Sequence, residues 1–193
     1  MKIVVLGATG LVGRAVAATL GPRHEVVRVS RSSAVRADLA DPASLEALFA
    51  EPVDAVVCCA ANVPLRPLAE LTGEQVLDDL RGKLLGQVAL ARLAAERLPD
   101  GGSVTLTGGT FTEPLPGSGL GALVNAGLEG FVRSAAAELT RGLRINVVSP
   151  GWISETLEAM GEDGARGTPV AVVAEAYRAL VEGDANGATV IPR

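Results

Sequence analysis

The chain begins with a short apolar run, Lys2-Ile3-Val4-Val5-Leu6, that is cut by glycines at 7, 10 and 13 just as a segment of helical period begins. An apolar run of this length with no polar alternation is a strand buried on both faces, and such strands belong to parallel sheets covered by helices. A glycine turn leading straight from strand to helix narrows the choice to an open α/β sheet whose first helix packs back over the first strand. Within Gly7-Ala8-Thr9-Gly10-Leu11-Val12-Gly13 each glycine has its own task. Gly7 permits the tight turn, Gly10 lets the backbone approach a pyrophosphate, and Gly13 permits close packing of helix on strand. Phosphates would face the free N–H groups and positive dipole end of the Gly10–Leu20 helix, so the turn implies a dinucleotide.

The rest of the chain repeats this alternation. Strands are expected at Lys2–Leu6, Glu25–Ser30, Ala55–Cys59, Ser103–Thr107, Arg144–Ser149 and Thr189–Ile191. Helices are expected at Gly10–Leu20, Asp41–Ala50, Glu74–Arg97, Gly119–Thr140 and Pro169–Glu182. This order predicts a Rossmann-type α/β fold: a doubly wound parallel sheet in three αβα layers, with ligands beyond the carboxyl ends of the strands. Residues 1–193 read as one domain, and the glycine-rich, acidic stretch 154–168 reads as a mobile flap over the site.

Composition excludes several partners. The net charge is −5 with no basic cluster, which argues against nucleic acid. No apolar run approaches the roughly 20 residues that span a bilayer. The only cysteines, Cys58 and Cys59, are adjacent in an apolar segment, so neither a disulfide framework nor a metal site is expected, and reduced core thiols suit a cytoplasmic protein. The lone His24 reads as solvated in a polar turn.

The second strand runs out at Val29-Ser30-Arg31-Ser32-Ser33. Sites for NAD place a carboxylate here against the ribose 2′-hydroxyl, whereas Arg31 would pair with a 2′-phosphate and Ser30 and Ser32 would add donors. NADP(H) is therefore expected over NAD(H), the alternative being an Arg31 that is simply solvated. Asp38 and Leu39 would stand beside the adenine, and Ala60, Ala61 and Asn62 would line the adenine ribose.

Two later stretches carry a resemblance: Leu128-Glu129-Gly130-Phe131-Val132-Arg133-Ser134-Ala135-Ala136-Ala137-Glu138-Leu139, and Arg144-Ile145-Asn146-Val147-Val148-Ser149-Pro150-Gly151-Trp152-Ile153. With the glycine turn they resemble the short-chain dehydrogenase/reductase family over essentially the whole chain. The resemblance implies that Pro150, Gly151 and Ile153 shape a nicotinamide pocket and that Ser154 or Thr156 reaches the pyrophosphate. It also implies a Tyr proton donor four residues before a Lys, a Ser that positions the carbonyl, and an Asn on the preceding helix.

None of the four stands where the family has it. The Tyr position falls on Gly121, the Lys position on Asn125, the Ser position on Gly108 or Gly109 between Thr107 and Thr110, and the Asn position on Lys83. The single tyrosine, Tyr177, has core-like spacing on a late helix. Lysine and asparagine are in effect exchanged between two helices, and Lys83 is one of only two lysines in the chain. The candidate catalytic residues are thus Lys83, Asn125, Thr107 and Thr110. A desolvated lysine has a lowered pKa and can donate a proton. The bland alternatives are a surface lysine on an amphipathic helix and a buried amide bonded to backbone.

Two functions are compatible with these residues. One is an NADP(H)-dependent oxidoreductase acting on a small carbonyl, alcohol or enone with a non-standard proton donor. The other is an inactive NADP(H)-binding sensor or regulatory protein. The resemblance further implies a homodimer or homotetramer, built where Ala122, Ala126, Gly127 and Gly130 allow close helix approach.

Overall fold

The computed structural model describes residues 1–193. Seven parallel strands form one sheet: β1 Lys2–Leu6, β2 Glu25–Ser30, β3 Val35–Arg36, β4 Ala55–Cys58, β5 Ser103–Thr107, β6 Arg144–Val148 and β7 Thr189–Val190. Their order is β3-β2-β1-β4-β5-β6-β7. Six α-helices accompany them: α1 Leu11–Leu20, α2 Gly73–Asp79, α3 Gly86–Arg97, α4 Gly119–Ala135, α5 Ser154–Ala159 and α6 Val170–Glu182. This is the doubly wound Rossmann-type fold expected from the alternation. No helix is long and apolar enough to cross a membrane.

Strand parity explains the two-sided core. In β1, Val4 and Leu6 join a 23-residue cluster beneath α3 and α4, while Ile3 and Val5 join a 13-residue cluster beneath α1 and α6. In β4, Val56 and Cys58 take the first side and Ala55 and Val57 the second. Burial of both faces is what the unbroken apolar strands require. The winding reverses between β1 and β4, so their carboxyl ends diverge into a crevice. There the glycine turn meets the chain leaving β4. A Cβ on Gly7, whose φ is +84°, would stand 2.6 Å from the Ala60 amide nitrogen.

Four elements depart from the sequence expectation. β3 has two residues, too short for a period to register. Asp41–Ala50 forms a 3₁₀ helix at Pro42–Phe49, because Leu45 and Leu48 are three apart and eclipse on one buried edge. The Gly119–Thr140 helix stops at Ala135, and the chain then turns through Arg141 and Gly142, both at positive φ. The Glu74–Arg97 helix is continuous only through a π-helical segment at Leu80–Leu85, which advances the register by one residue and turns Lys83 and Gln87 inward. Stretch 154–168, read from sequence as a flap, folds into α5 and a short 3₁₀ turn. Its ends are stitched by Ser154 N–H to Thr168 C=O at 3.0 Å and Thr168 N–H to Trp152 C=O at 2.8 Å.

Most polar groups in the core are paired, the Thr105 hydroxyl being an exception. Gln87 accepts from the Thr107 N–H at 2.8 Å and donates to the Thr107 carbonyl at 2.9 Å, continuing the ladder past the end of β4. On the opposite face the Thr107 hydroxyl donates to the Cys58 carbonyl, and the fully buried Tyr177 hydroxyl reaches Thr107 Oγ1 at 2.5 Å. His24 is not solvated: its ring lies 3.1 Å from Glu182, which also meets Arg23 and Arg178. Because Thr107 keeps its carbonyl acceptor without Tyr177, the Tyr177→Phe chain is expected to fold normally. Urea unfolding should register a loss of about 1 kcal/mol, the net worth of one hydrogen bond.

Candidate functional site

The crevice at the switch point is a cleft of about 740 Å³. Eleven of the expected cofactor residues line it: Gly7, Thr9 and Gly10 from the glycine turn; Ser30, Arg31 and Ser32 from the end of β2; Asp38 and Leu39; and Ala60, Ala61 and Asn62 after β4. α1 begins at Leu11, just after Gly10, with no side-chain cap, and the N–H groups of Leu11, Val12 and Gly13 find no acceptor in the chain. These three residues supply backbone donors rather than cleft wall. Gly13 is required for this arrangement, since a Cβ there would stand 2.1 Å from the Gly7 carbonyl oxygen. The donor set is right for an anion and the glycines leave the backbone bare, so a dinucleotide pyrophosphate fits these residues.

At the other end of that cleft the serine turn satisfies itself. The Ser30 N–H donates to Ser33 Oγ at 2.6 Å, and the Ser32 N–H donates to Ser30 Oγ at 3.1 Å. Arg31 is exposed on the cleft edge, with no carboxylate paired to it.

Ala61 and Asn62 also line a second pocket of about 200 Å³, so the two spaces adjoin. Lys83, Asn125, Thr110, Pro150 and Gly151 line this pocket as expected, joined by Phe111, Trp152, Val63, Leu65, Gly109 and Gly121. Lys83 is only 5% exposed. Its ammonium donates to the Gly108 carbonyl at 3.0 Å and to Asn125 Oδ1 at 2.8 Å. The surface-lysine reading is thereby overturned, and the Asn125 amide bonds to Lys83 rather than to backbone. An ammonium has three donors, and the third N–H of Lys83 has no acceptor in the chain. Burial brings the Lys83 pKa down from 10.5 to about 8, against a small opposing pull from Cys58. The Cys58 thiol itself is pushed up to about 12 by burial and stays protonated.

The vacant family positions are filled from elsewhere. A Cβ on Gly121 would meet the Phe111 ring at 3.4 Å, so an apolar ring stands beside the tyrosine position. A Cβ on Gly109 would come within 3.0 Å of Asn125 Nδ2, and one on Gly108 within 2.4 Å of Ser149 Oγ. A serine at either place would disturb the groups that hold Lys83. Arg66 latches the loops above: its N–H donates to the Gly117 carbonyl at 3.0 Å and its guanidinium pairs with Asp79.

Three expected residues lie elsewhere. Thr107 is on the α6 face of the sheet, opposite Lys83, with its hydroxyl bound into the Cys58–Tyr177 network. Ile153 packs against the α1/α6 cluster, and the Ser154 N–H is spent on Thr168. Neither lines the cleft or the pocket. Phe111, Trp152, Val63 and Leu65 were missed from sequence. The rarity of aromatic residues, 3% of the chain, is the one signal that could have singled out the first two.

Residues 12–183 match the sequence profile of a family described as Enoyl-(Acyl carrier protein) reductase. The hydroxynaphthalene reductase arp2 of Aspergillus fumigatus is 30% identical over 132 residues, which are 64% of this chain and 48% of that protein. The chain thus spans about half the length of that curated relative. Among solved structures, the protein lin1944 from Listeria innocua superposes with a TM-score of 0.93 at 34% identity, over 99% of this chain and 98% of that one. A short-chain dehydrogenase from Burkholderia cenocepacia in complex with NADP has the same fold, with a TM-score of 0.85 at 21% identity, over 98% and 95% of the two chains. A small-chain dehydrogenase in complex with NADPH matches with a TM-score of 0.85 at 23% identity, over 99% and 95%.

The lowered lysine pKa has a thermodynamic signature. Between about pH 8 and 10.5 the unfolded chain holds a proton that folded Lys83 has released, so this group makes stability rise with pH across that window. Below pH 8 both states are charged and its contribution is flat. Buried Cys58, with its raised pKa, acts in the opposite sense, so the quantity to measure is a difference. Denaturant unfolding at pH 8 and pH 10.5 should show the wild type gaining about 3 kcal/mol relative to Lys83→Met. Equal slopes in the two chains would mean that Lys83 is solvated.

Proposed function

The chain belongs to the short-chain dehydrogenase/reductase family, and on that premise we propose that it is an NADP(H)-dependent oxidoreductase of small carbonyl, alcohol or enone substrates in which Lys83 replaces the usual phenolic proton donor. The carrying observation is the third N–H of a buried ammonium, without an acceptor in the chain, in a pocket that adjoins the dinucleotide cleft. When bound, NADPH supplies a hydride to an electrophilic carbon.

The remaining work falls to side chains and backbone. The uncapped start of α1 holds the pyrophosphate, and Arg31 takes the 2′-phosphate, there being no carboxylate at the end of β2 to favour a ribose hydroxyl. Pro150 and Gly151 shape the nicotinamide end. They are tied to the pocket by the Thr110 N–H, which donates to the Pro150 carbonyl at 2.9 Å. Lys83 receives the substrate oxygen on its third N–H and stabilises the negative charge that develops there. When it gives up that proton, the neutral amine still keeps its two bonds to Gly108 and Asn125. Thr110 adds a neutral donor, and the Phe111 and Trp152 rings keep water from the reacting oxygen.

Calorimetry and turnover on three chains test this reading. Arg31→Ala is expected to bind NADPH about 10- to 100-fold more weakly, the loss of one charge-assisted contact, with NADH binding unchanged. Lys83→Met is expected to bind NADPH normally and to lose turnover by about 100-fold or more. Tight binding with no wild-type turnover across a broad carbonyl panel would leave a cofactor sensor in place of an enzyme.

The assembly we propose is a homodimer or homotetramer through α3 and α4. On α4, Ala122 and Ala126 are exposed, and Leu123 and Leu85 stand half exposed beside them in sequence or on the preceding helix. Sedimentation at micromolar concentration should show a species larger than the 19.6 kDa chain, and a sole monomer would reject the assembly.

A further inference from the structure

Lys83 is a buried cation with no anion opposite it. Of the 13 residues lining its pocket it is the only charged one, and none of the chain's ion pairs includes its ammonium. The acids on adjoining helices are engaged elsewhere: Asp79 of α2 with Arg66, and Glu129 of α4 with the Ser149 hydroxyl at 2.8 Å. Cys58 of β4, the one titratable group that acts on the amine, is kept protonated by burial and is neutral. The two groups that the ammonium does touch, the Gly108 carbonyl and Asn125 Oδ1, are polar but uncharged.

The same corner holds unused donors. Asn125 is 7% exposed, spends its oxygen on Lys83, and has no acceptor in the chain for its Nδ2. That nitrogen is not sealed into the core, where only His24 Nδ1 and Thr105 Oγ1 stand without partners, so it opens on the pocket that Asn125 lines. The Thr110 hydroxyl on the same wall is also without a partner in the chain. Across the Asn125 amide, Nδ2 lies within about 5 Å of the Lys83 nitrogen. Donors that close together suit oxygens carried on adjacent carbons.

Charge then decides the ligand. A neutral ketone seated against Phe111 and Trp152 shuts the ammonium off further from solvent and returns one hydrogen bond, which favours the uncharged amine just when a proton is needed. An anion in that place favours the charged form and keeps the lysine loaded. We propose that the pocket takes a small 2-oxo carboxylate and its 2-hydroxy counterpart, with the carboxylate on Asn125 Nδ2 and the Thr110 hydroxyl and the keto oxygen on the third N–H of Lys83. The proposal rests on the oxidoreductase reading above and narrows its substrate.

The reaction balances with one proton. A hydride from the reduced nicotinamide forms the new C–H bond at C2, and the carbonyl π pair moves to oxygen. That oxygen takes its proton from Lys83, which leaves a 2-hydroxy carboxylate, an oxidised nicotinamide and a neutral amine. The amine regains a proton from solvent once the product leaves. The carboxylate keeps its charge throughout, so the pairing with Lys83 lasts until the proton has moved.

Binding alone reads the site. Oxamate, a 2-oxo carboxylate mimic that accepts no hydride, is titrated calorimetrically into the full chain with NADPH at pH 8.5, in phosphate and in Tris. Their different heats of ionisation reveal any proton taken up. We expect one-to-one binding with an uptake of about half a proton or more per site, because the free amine, with its pKa of about 8, is mostly neutral there. No binding, or binding without proton uptake, overturns the proposal. In Asn125→Asp the acceptor for Lys83 remains while the donor becomes an anion, and oxamate binding should vanish. Equal binding in that variant overturns the proposal as well, and the wild-type proton uptake is decisive even if the variant does not fold.

A second arm compares kcat/KM with NADPH for pyruvate and for pyruvamide, its neutral isostere. Pyruvate is expected to be favoured by about 10- to 100-fold, the worth of a hydrogen-bonded charge. Pyruvamide reduced equally well overturns the substrate class and leaves the oxidoreductase reading intact. Oxamate binding with proton uptake, but no turnover of either compound, supports the anion site and overturns the oxidoreductase reading instead.

Discussion

A lysine side chain with 5% of its surface exposed must either lose its charge or be surrounded by acceptors, and much of the candidate site follows from how Lys83 meets that condition. Two acceptors reach it, one from the backbone beyond β5 and one from the side chain of Asn125 on α4. For the first to do so, residue 108 must lie flat against Ser149, which excludes a Cβ. For the second, residue 125 must carry an amide oxygen, because a lysine there would set two cations against each other. The π-helical segment at Leu80–Leu85 is the backbone counterpart, an added residue that aims the amine inward and leaves Leu85 outside. The exchange of Lys and Asn between the two helices is thus a coupled change, since Lys83 is not tolerable opposite a second lysine.

The dinucleotide end is governed by a different constraint, close approach of bare backbone. Gly7 and Gly13 lie so near Ala60 and each other that no side chain fits, and the result is a helix start with unpaired N–H groups at the mouth of the sheet's switch point. The two ends meet at Ala61 and Asn62, which line both spaces. Over them the loops after β4 and β5 are held together through Arg66, Gly117 and Asp79. A ligand that spans the cleft therefore reaches Lys83 without crossing a domain boundary.

Legibility in the sequence depended on whether a feature is local. Strand parity was readable, and it could have excluded Thr107 in advance: Thr105 and Thr107 fall on the face opposite Val104 and Leu106, which lie under the helices that carry Lys83 and Asn125. The π register was not readable, because Leu80-Arg81-Gly82-Lys83-Leu84-Leu85 fits a regular amphipathic helix with Lys83 outward. Ile153 and Ser154 were assigned by resemblance to positions near the cofactor. Here Gly167 packs on the Ser154 backbone so closely that a Cβ would stand 2.6 Å from its nitrogen, and the pairing with Thr168 takes up that N–H. Phe111 and Trp152 sit on loops, where no periodicity marks a residue as lining a pocket.

By itself the sequence determined the doubly wound sheet, the glycine turn at its switch point and the absence of the usual phenol. Each of these is set by neighbours within a few residues, through apolar period, backbone freedom at glycine or the identity of one side chain. Only the tertiary structure decided that Lys83 is buried, that Asn125 and Gly108 are its partners, and that Phe111 stands beside the vacant tyrosine position. The contacts of Lys83 reach across 25 and 42 residues of chain, and a buried charge is stable only where such distant groups arrive together.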